Sequence, residues 1–279
     1  MSAQDAAAPI AVWRRCLNNV GVALATLTRK PSIDPKRPWL LPARELAIAA
    51  GVVIVVFVLG MLLIDAPSTR AVERLPRWIV TFFDSITDYG KSGYVLWPLG
   101  LLFLALAALP PLATRMQQRV LAAIMVRVGF LFAAVAVPGL FGTIIKRLIG
   151  RARPLVGGNL DPTLFHPFGW RADYASLPSG HATTSFALMV AVSSLWPRAR
   201  TYALIYALMI AVSRIVVTAH YPTDVAMGAL LGIAGALMVR RWFAMRRLGF
   251  SFGPDGTVHQ YPGPSAKRVK VVARAILAD

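Results

Sequence analysis

Residues 46–64 read LAIAAGVVIVVFVLGMLLI, nineteen positions without a charged or hydrogen-bonding side chain. A helix of about 20 apolar residues crosses the ~30 Å hydrocarbon core of a bilayer. Inside that core every backbone N–H and C=O must find its partner within the protein, which restricts spanning segments to helices and closed barrels. Five further apolar runs follow, at roughly 94–112, 120–145, 180–196, 201–218 and 225–239. The fourth and sixth runs are short and rich in Ala, Gly and Ser, the composition of helices packed inside a membrane bundle. The sequence therefore predicts an all-α polytopic membrane protein, a bundle of six transmembrane helices.

The chain is 57% hydrophobic and 15% charged, with a net charge of +18; ordinary globular chains run about 45–50% apolar and ~25% charged. In a soluble protein such a positive balance would suggest nucleic acid, but no recognition module frames these residues. Nineteen of the thirty Lys and Arg residues flank the spans in four groups. Arg14, Arg15, Arg29, Lys30, Lys36, Arg37 and Arg44 precede the first span. Arg115 and Arg119 lie between the second and third, Arg198 and Arg200 between the fourth and fifth. The rest run from Arg240 to Arg274. Six spans bring all four groups to one side, which the positive-inside rule makes cytoplasmic, together with both termini. Lys146, Arg147, Arg151, Arg153 and Arg171 violate the rule on the outer side. Cations kept there point to anion binding. The lone Cys16 excludes an internal disulfide and a multi-cysteine metal site. No signal peptide is expected, because the first span starts late and lacks a small-residue cleavage site.

Three peripheral segments complete the layout. Ile10, Trp13, Leu17, Val20, Leu24 and Leu27 recur at three- and four-residue steps, with Arg14, Arg15, Asn18 and Asn19 on the other face. This predicts an amphipathic helix on the cytoplasmic surface. Trp78, Ile79, Phe82, Phe83 and Ile86 form a similar stripe on the outer side, where Asp84 and Asp88 read as a solvated polar face. From Gly249 the chain is expected to be a flexible or surface-bound cytoplasmic end. The divisions are thus an N-terminal segment 1–44, a membrane domain 45–248 and a tail 249–279.

Three clusters sit at the outer ends of the last four spans. The first is Lys146-Arg147-Leu148-Ile149-Gly150-Arg151-Ala152-Arg153-Pro154. If the third helix continues, Lys146 and Arg153, seven apart, share a face, and Pro154 marks the exit. Arginine's planar fork can grip two phosphate oxygens at once. The second is Pro178-Ser179-Gly180-His181, with Ser179 as an N-cap and free N–H groups in the first turn as an anion cradle. The third contains Ser213, Arg214, His220 and Asp224. Arg214 ends an apolar span, where a charge is costly and functional by default. Asp224, by accepting the Nδ1–H of His220, would fix the tautomer and leave Nε2 free to attack. Taken singly, each cluster also has a structural reading: a basic patch on headgroups, a boundary histidine, a buried His–Asp pair.

In order and spacing, the three together resemble the signature of the type 2 phosphatidic acid phosphatase (PAP2) family, with a core over residues 146–224. The resemblance implies a helical bundle of the acid phosphatase–haloperoxidase type, with its active site at the outer membrane face and no cofactor. Lys146, Arg153, Ser179, Gly180 and Arg214 would then hold the phosphate. His220 would attack it, Asp224 would orient His220, and His181 would protonate the departing oxygen and then activate water. Fixed cations and backbone N–H groups can neutralise a phosphoryl group without a metal, and the sequence lacks the carboxylate set of a two-metal phosphatase. The implied substrate is a membrane lipid phosphate or pyrophosphate: phosphatidic acid, phosphatidylglycerol phosphate, undecaprenyl pyrophosphate or lipid A. A phosphotransferase with a polyprenyl pyrophosphate donor and a non-catalytic phosphate-binding transporter stay open. The loop 155–177, with Asp161, His166, Trp170, Arg171 and Asp173, is expected to cover the site; His166 reads as an ordinary loop residue. The expected setting is a bacterial inner membrane.

Overall fold

The computed structural model describes residues 12–32, 42–109, 114–158 and 160–278; Ile10, Lys36 and Arg37 lie outside them. Helix α1 (Val12–Thr28) precedes α2 (Ala43–Gly60), which passes through a π-turn (Met61–Asp65) into α3 (Ala66–Val72). Pro67 lacks the N–H that would close on Leu63, which favours the wider turn. Helices α4 (Arg77–Thr87), α5 (Ser92–Ala108), α6 (Arg115–Ile149), α7 (Gly180–Leu195), α8 (Arg200–Val216) and α9 (Pro222–Met245) follow. The chain closes with strands β1 (Phe250–Phe252) and β2 (Val258–Gln260) and helix α10 (Ala266–Ala278).

Among the described residues, five helical stretches are long and apolar enough to cross a membrane: Ala43–Val72, Arg77–Ala108, Arg115–Ile149, Pro197–Val216 and Pro222–Met245. The sixth expected span, α7, has 16 residues, about 24 Å at 1.5 Å per residue. It packs against α6, α8 and α9 and buries Ala182, Thr183, Ser185, Ala187 and Ala191. Its neighbours supply its surroundings, so it needs no lipid-facing surface of full bilayer length. Close approach to α9 comes from glycine. A Cβ at Gly228 would lie 2.4 Å from the Ser179 carbonyl oxygen, and one at Gly232 2.4 Å from that of Thr183. Small residues at a four-residue spacing let membrane helices touch backbone to backbone.

Exposed aromatic side chains mark both ends. Tyr94, Trp97, Phe168 and Trp170 ring one end, and Trp13, Trp196, Tyr202 and Trp242 the other, as in the belts that sit at headgroup level.

Two peripheral segments depart from expectation. The polar face of α1 turns to the bundle instead of to water. Asn19 Nδ2 donates to the Ala107 carbonyl at 2.6 Å and Arg15 Nη1 to that of Ala108 at 3.5 Å. These side chains satisfy the last carbonyls of α5, which have no partner inside their own helix. The tail is folded. β1 pairs antiparallel with β2, Phe250 joins Phe130 at a 4.7 Å centroid distance, and α10 lays Val269, Val272 and Ile276 on Val120, Leu121 and Ile124 of α6. Those three residues recur at helical spacing within a basic sequence, a pattern obscured by the flanking Gly and Pro.

Candidate active site

Helix α6 stops at Gly150, left-handed at φ 63°, whose N–H returns to the Lys146 carbonyl at 3.0 Å. A Cβ there would sit 1.8 Å from the His166 carbonyl oxygen, so only glycine fits. The expected continuation of the helix to Pro154 is therefore not made. Arg153 arrives on an extended segment instead, stitched to the loop that follows: Ala152 N–H to Leu164 C=O at 2.9 Å, Arg153 N–H to Asp173 C=O at 2.8 Å, and Ser176 N–H to Arg151 C=O at 3.0 Å. The loop thus folds back on residues 150–153 and delivers Ser176 to His181 at the start of α7. The Ser179 N–H then donates to the Asp224 carbonyl at 3.0 Å, tying the start of α7 to that of α9.

The cations and donors of the three sequence clusters meet here. Lys146 Nζ lies 3.8 Å from where a Cβ of Gly180 would stand. Arg214, buried in the last turn of α8, donates from Nη1 to Thr87 Oγ1 at 2.6 Å, and its carbonyl accepts the His220 N–H at 3.2 Å. Within this cluster four buried polar atoms have no hydrogen-bond partner: Arg153 Nε, Ser179 Oγ, His181 Nε2 and Arg214 Nε. A buried polar group left unpaired costs about 1–3 kcal/mol, so four of them on the residues singled out by sequence fit a site built for an anion. Ser179 occupies the N-cap position of α7, yet its hydroxyl makes no cap bond; it is left for something else.

His220 lies in the short joint between α8 and α9 and is almost fully buried. Burial, reinforced by Arg214, Arg153 and Lys146, holds its imidazole well below the ordinary value, so the ring is neutral and carries a nucleophilic lone pair. The direct bond to Asp224 is not made: Nδ1 and Asp224 Oδ2 are 3.9 Å apart. Ser176 Oγ stands between them, 3.4 Å from Nδ1 and donating to Asp224 Oδ2 at 2.5 Å. With its proton committed to the carboxylate, that oxygen can accept only from Nδ1–H, which leaves Nε2 unprotonated.

Asp224 is itself held from three sides. Its Oδ2 also accepts the Tyr221 N–H at 3.0 Å, and its Oδ1 takes Arg151 Nη1 at 2.6 Å. Arg151 Nη2 reaches Asp65 Oδ2 at 2.7 Å, and Thr223 donates to Asp65 from both N and Oγ1. The five cations expected on the outer side therefore separate by their partners. Arg151 is fully buried between two carboxylates, Arg171 pairs with Asp173 at 3.0 Å, and Arg147 donates to the Trp170 carbonyl. These three have partners of their own, whereas Lys146 and Arg153, the two that the resemblance assigned to the phosphate, stand with Gly180 and the unpartnered atoms of Ser179, His181 and Arg214. His166 is a loop residue, its ring edge-on to Tyr174 at 5.3 Å.

The model of the PAP2 superfamily matches residues 127–248. The lipid A 1-phosphatase of Rhizobium johnstonii is 33% identical over 213 residues, 76% of this chain and 84% of that protein. The lipid A 1-phosphatase of Rhizobium etli is 34% identical over 212 residues, 76% and 88% of the two chains. The chain belongs to the PAP2 superfamily. Two solved structures are similar to it. The crystal structure of Aquifex aeolicus LpxE has 22% identity and a TM-score of 0.46, covering 63% of this chain and 94% of that one. The transmembrane PAP2 type phosphatidylglycerolphosphate phosphatase from Bacillus subtilis has 16% identity and a TM-score of 0.45, covering 69% and 94%. The protein is a PAP2-type phosphatase embedded in the membrane.

Four residues beside this PAP2 site escaped the sequence reading. Asp65 carried a signal, since an acid closing a long apolar run calls for a buried partner. Arg151 carried a misleading one, as one cation among five. Ser176 and Thr87 carried none, because a single hydroxyl in a loop or at a helix end is ordinary in any sequence.

Proposed function

We propose that this PAP2-type lipid phosphatase removes the 1-phosphate of lipid A through a phosphohistidine on His220. The observation that carries the chemistry is the convergence of Arg153 Nε, Ser179 Oγ, His181 Nε2 and Arg214 Nε, all buried and unpartnered, beside a neutral His220. The lipid is suggested by the two relatives named as lipid A 1-phosphatases.

Lys146, Arg153, Arg214, Ser179 and Gly180 hold the phosphoryl oxygens. His220 Nε2 forms a bond to phosphorus as the bond from phosphorus to the lipid oxygen breaks, and His181 gives that oxygen a proton. Water then loses a proton to His181 and attacks phosphorus. The P–N bond breaks, its electron pair returns to Nε2, and inorganic phosphate leaves. Asp224 acts on His220 through Ser176. No step calls for a metal, and among the described residues no three His, Cys, Asp or Glu side chains gather as a ligand set. The site opens on the outer face, opposite the basic ends of the helices.

The test is a phosphate-release panel on purified protein with lipid A, phosphatidic acid, phosphatidylglycerol phosphate and undecaprenyl pyrophosphate, with mass analysis of the lipid product. Lipid A is expected to lose one phosphate, from position 1. Turnover of a glycerolipid phosphate with lipid A untouched would overturn the substrate, and activity abolished by chelation and restored by a divalent cation would overturn the mechanism.

A further inference from the structure

The match to the PAP2 superfamily begins at residue 127, yet a segment well before it reaches the candidate site. Helix α4 ends at Thr87, and a 3₁₀ turn, Asp88–Gly90, carries the chain toward α5. This turn is seated on α7 and α8. Tyr206 of α8 donates its hydroxyl to the Tyr89 carbonyl at 2.9 Å. Gly90 is buried, and a Cβ there would stand 2.5 Å from Ile210 Cγ2 and 2.9 Å from His181 Cδ2. The backbone therefore passes His181 at a distance that only glycine allows. Thr87 makes the remaining contact, with a residue assigned to the phosphate.

Thr87 is 5% exposed. Its Oγ1 accepts Arg214 Nη1 at 2.6 Å and lies 2.9 Å from Ser213 Oγ, which is also 2.7 Å from the Ile210 carbonyl oxygen. A hydroxyl has one proton and two lone pairs. With the Ser213 proton on the nearer acceptor, the Ile210 carbonyl, the Thr87 proton goes to Ser213 Oγ and a Thr87 lone pair is left facing Nη1. Ser213 thereby locks the Thr87 hydroxyl toward the guanidinium. Among the described residues Thr87 is the one side chain to which Arg214 donates, while Nε of the same planar fork has no partner. Fixing one nitrogen of a rigid plane fixes the direction of the others. The hydroxyl also matters electrostatically. A carboxylate in its place would hold the fork but cancel the charge that an anion needs, whereas threonine is neutral and leaves that charge whole.

We infer that Thr87 is a positioning residue of the phosphate site: from outside the region matched by the family, it aims the Arg214 guanidinium without touching phosphate. The inference rests on the reading of Arg214 as a phosphate-holding group, and the test separates the two.

The full chain is purified as wild type, Thr87→Val, Thr87→Ser, Arg214→Ala and the Thr87→Val/Arg214→Ala double variant. Each is measured for phosphate release from the lipid of the panel above that the wild type turns over fastest. Each is also measured for inhibition by orthovanadate, which takes up the trigonal-bipyramidal geometry of an in-line phosphoryl transfer. Valine keeps the shape of threonine and removes the hydroxyl. Thr87→Val is expected to lower kcat/KM and raise the Ki of vanadate, each by about 10–100-fold, the scale of losing a hydrogen bond to a charged group. Thr87→Ser, which keeps the hydroxyl, should behave as wild type in both. With no guanidinium left to aim, Thr87→Val should add less than about a further twofold in the Arg214→Ala background. A serine variant as impaired as the valine one would overturn the inference, because packing and not the hydroxyl would then be at stake. A full-sized valine effect in the Arg214→Ala background would overturn it too, as would wild-type rates and Ki in Thr87→Val. If Arg214→Ala alone leaves phosphate release and vanadate inhibition unchanged, the phosphate-holding role of Arg214 fails first, and that of Thr87 with it.

Discussion

In the proposed mechanism His220 is a nucleophile prepared by two neighbours that never touch phosphate, Ser176 and Asp224. His220→Ala is expected to reduce phosphate release by about 10⁴-fold or more, as loss of a nucleophile does elsewhere, and to abolish the phosphoenzyme on acid-free gels. Ser176→Ala removes the oxygen between Nδ1 and the carboxylate. A loss of about 10–100-fold in kcat with little change in KM is expected, the scale of removing an orienting partner. An unchanged kcat would sink the relay. The pH profile follows from the depressed pKa of His220. The nucleophile must be neutral, and a lowered pKa keeps it neutral into more acid solution. The acid limb of kcat/KM assigned to His220 should therefore fall below the ~6.5 of free imidazole; a limb for that group at or above 6.5 would contradict the burial argument.

Helix α2 shows how one buried ion pair can place a whole element. Ile48, Val52, Ile54, Val55 and Val56 are exposed along it, so lipid surrounds most of its length. Its fixed points are at one end, where Gly60 abuts Thr223 and Asp65 meets Arg151 and Thr223. Breaking one side of a buried pair costs about 3–5 kcal/mol, because the partner charge is left uncompensated. Asp65→Ala is accordingly expected to raise hydrogen exchange across residues 61–72 and to impair activity, although Asp65 lies outside all three sequence clusters. Arg151→Lys should retain more activity than Arg151→Met; equal loss in both would argue against a charge role. On α9 the demand is steric. Gly228→Val would drive its side chain into the Ser179 carbonyl, and a loss of about 1–3 kcal/mol, the usual cost of overpacking, is expected in thermal unfolding.

For the whole molecule sidedness sets which leaflet supplies the substrate, because in the proposed reaction a lipid headgroup must reach His220 while its chains stay in the adjacent leaflet. With Cys16 replaced, a cysteine introduced at Gly158 is expected to react with an impermeant thiol reagent from outside. One at Ser265 should react only after permeabilisation. The reverse pattern would put the site in the cytoplasm and remove outer-leaflet substrates from consideration. The asymmetry of charge favours the first result, since nineteen of thirty basic residues fall in the four groups that a six-span topology would put with the termini.

The sequence by itself determined the solvent, the membrane helices and the residues proposed to face the phosphate. Unbroken apolar runs of about 20 residues fit spanning helices and not the short alternating strands of a barrel, and Lys146, Arg153, Ser179, His181, Arg214 and His220 keep a fixed order along the chain that can be read without coordinates. Tertiary structure decided what lies behind them. Arg151 sits two residues from Arg153, and only the left-handed turn at Gly150 sends it into the interior, to two carboxylates 86 and 73 positions away. Ser176 enters between His220 and Asp224 because the loop folds back on residues 150–153. The polar face of α1 reads as a water-facing surface until the open carbonyls of α5 are placed against it. Such pairings join groups distant in the chain, and no local periodicity encodes a distance through space.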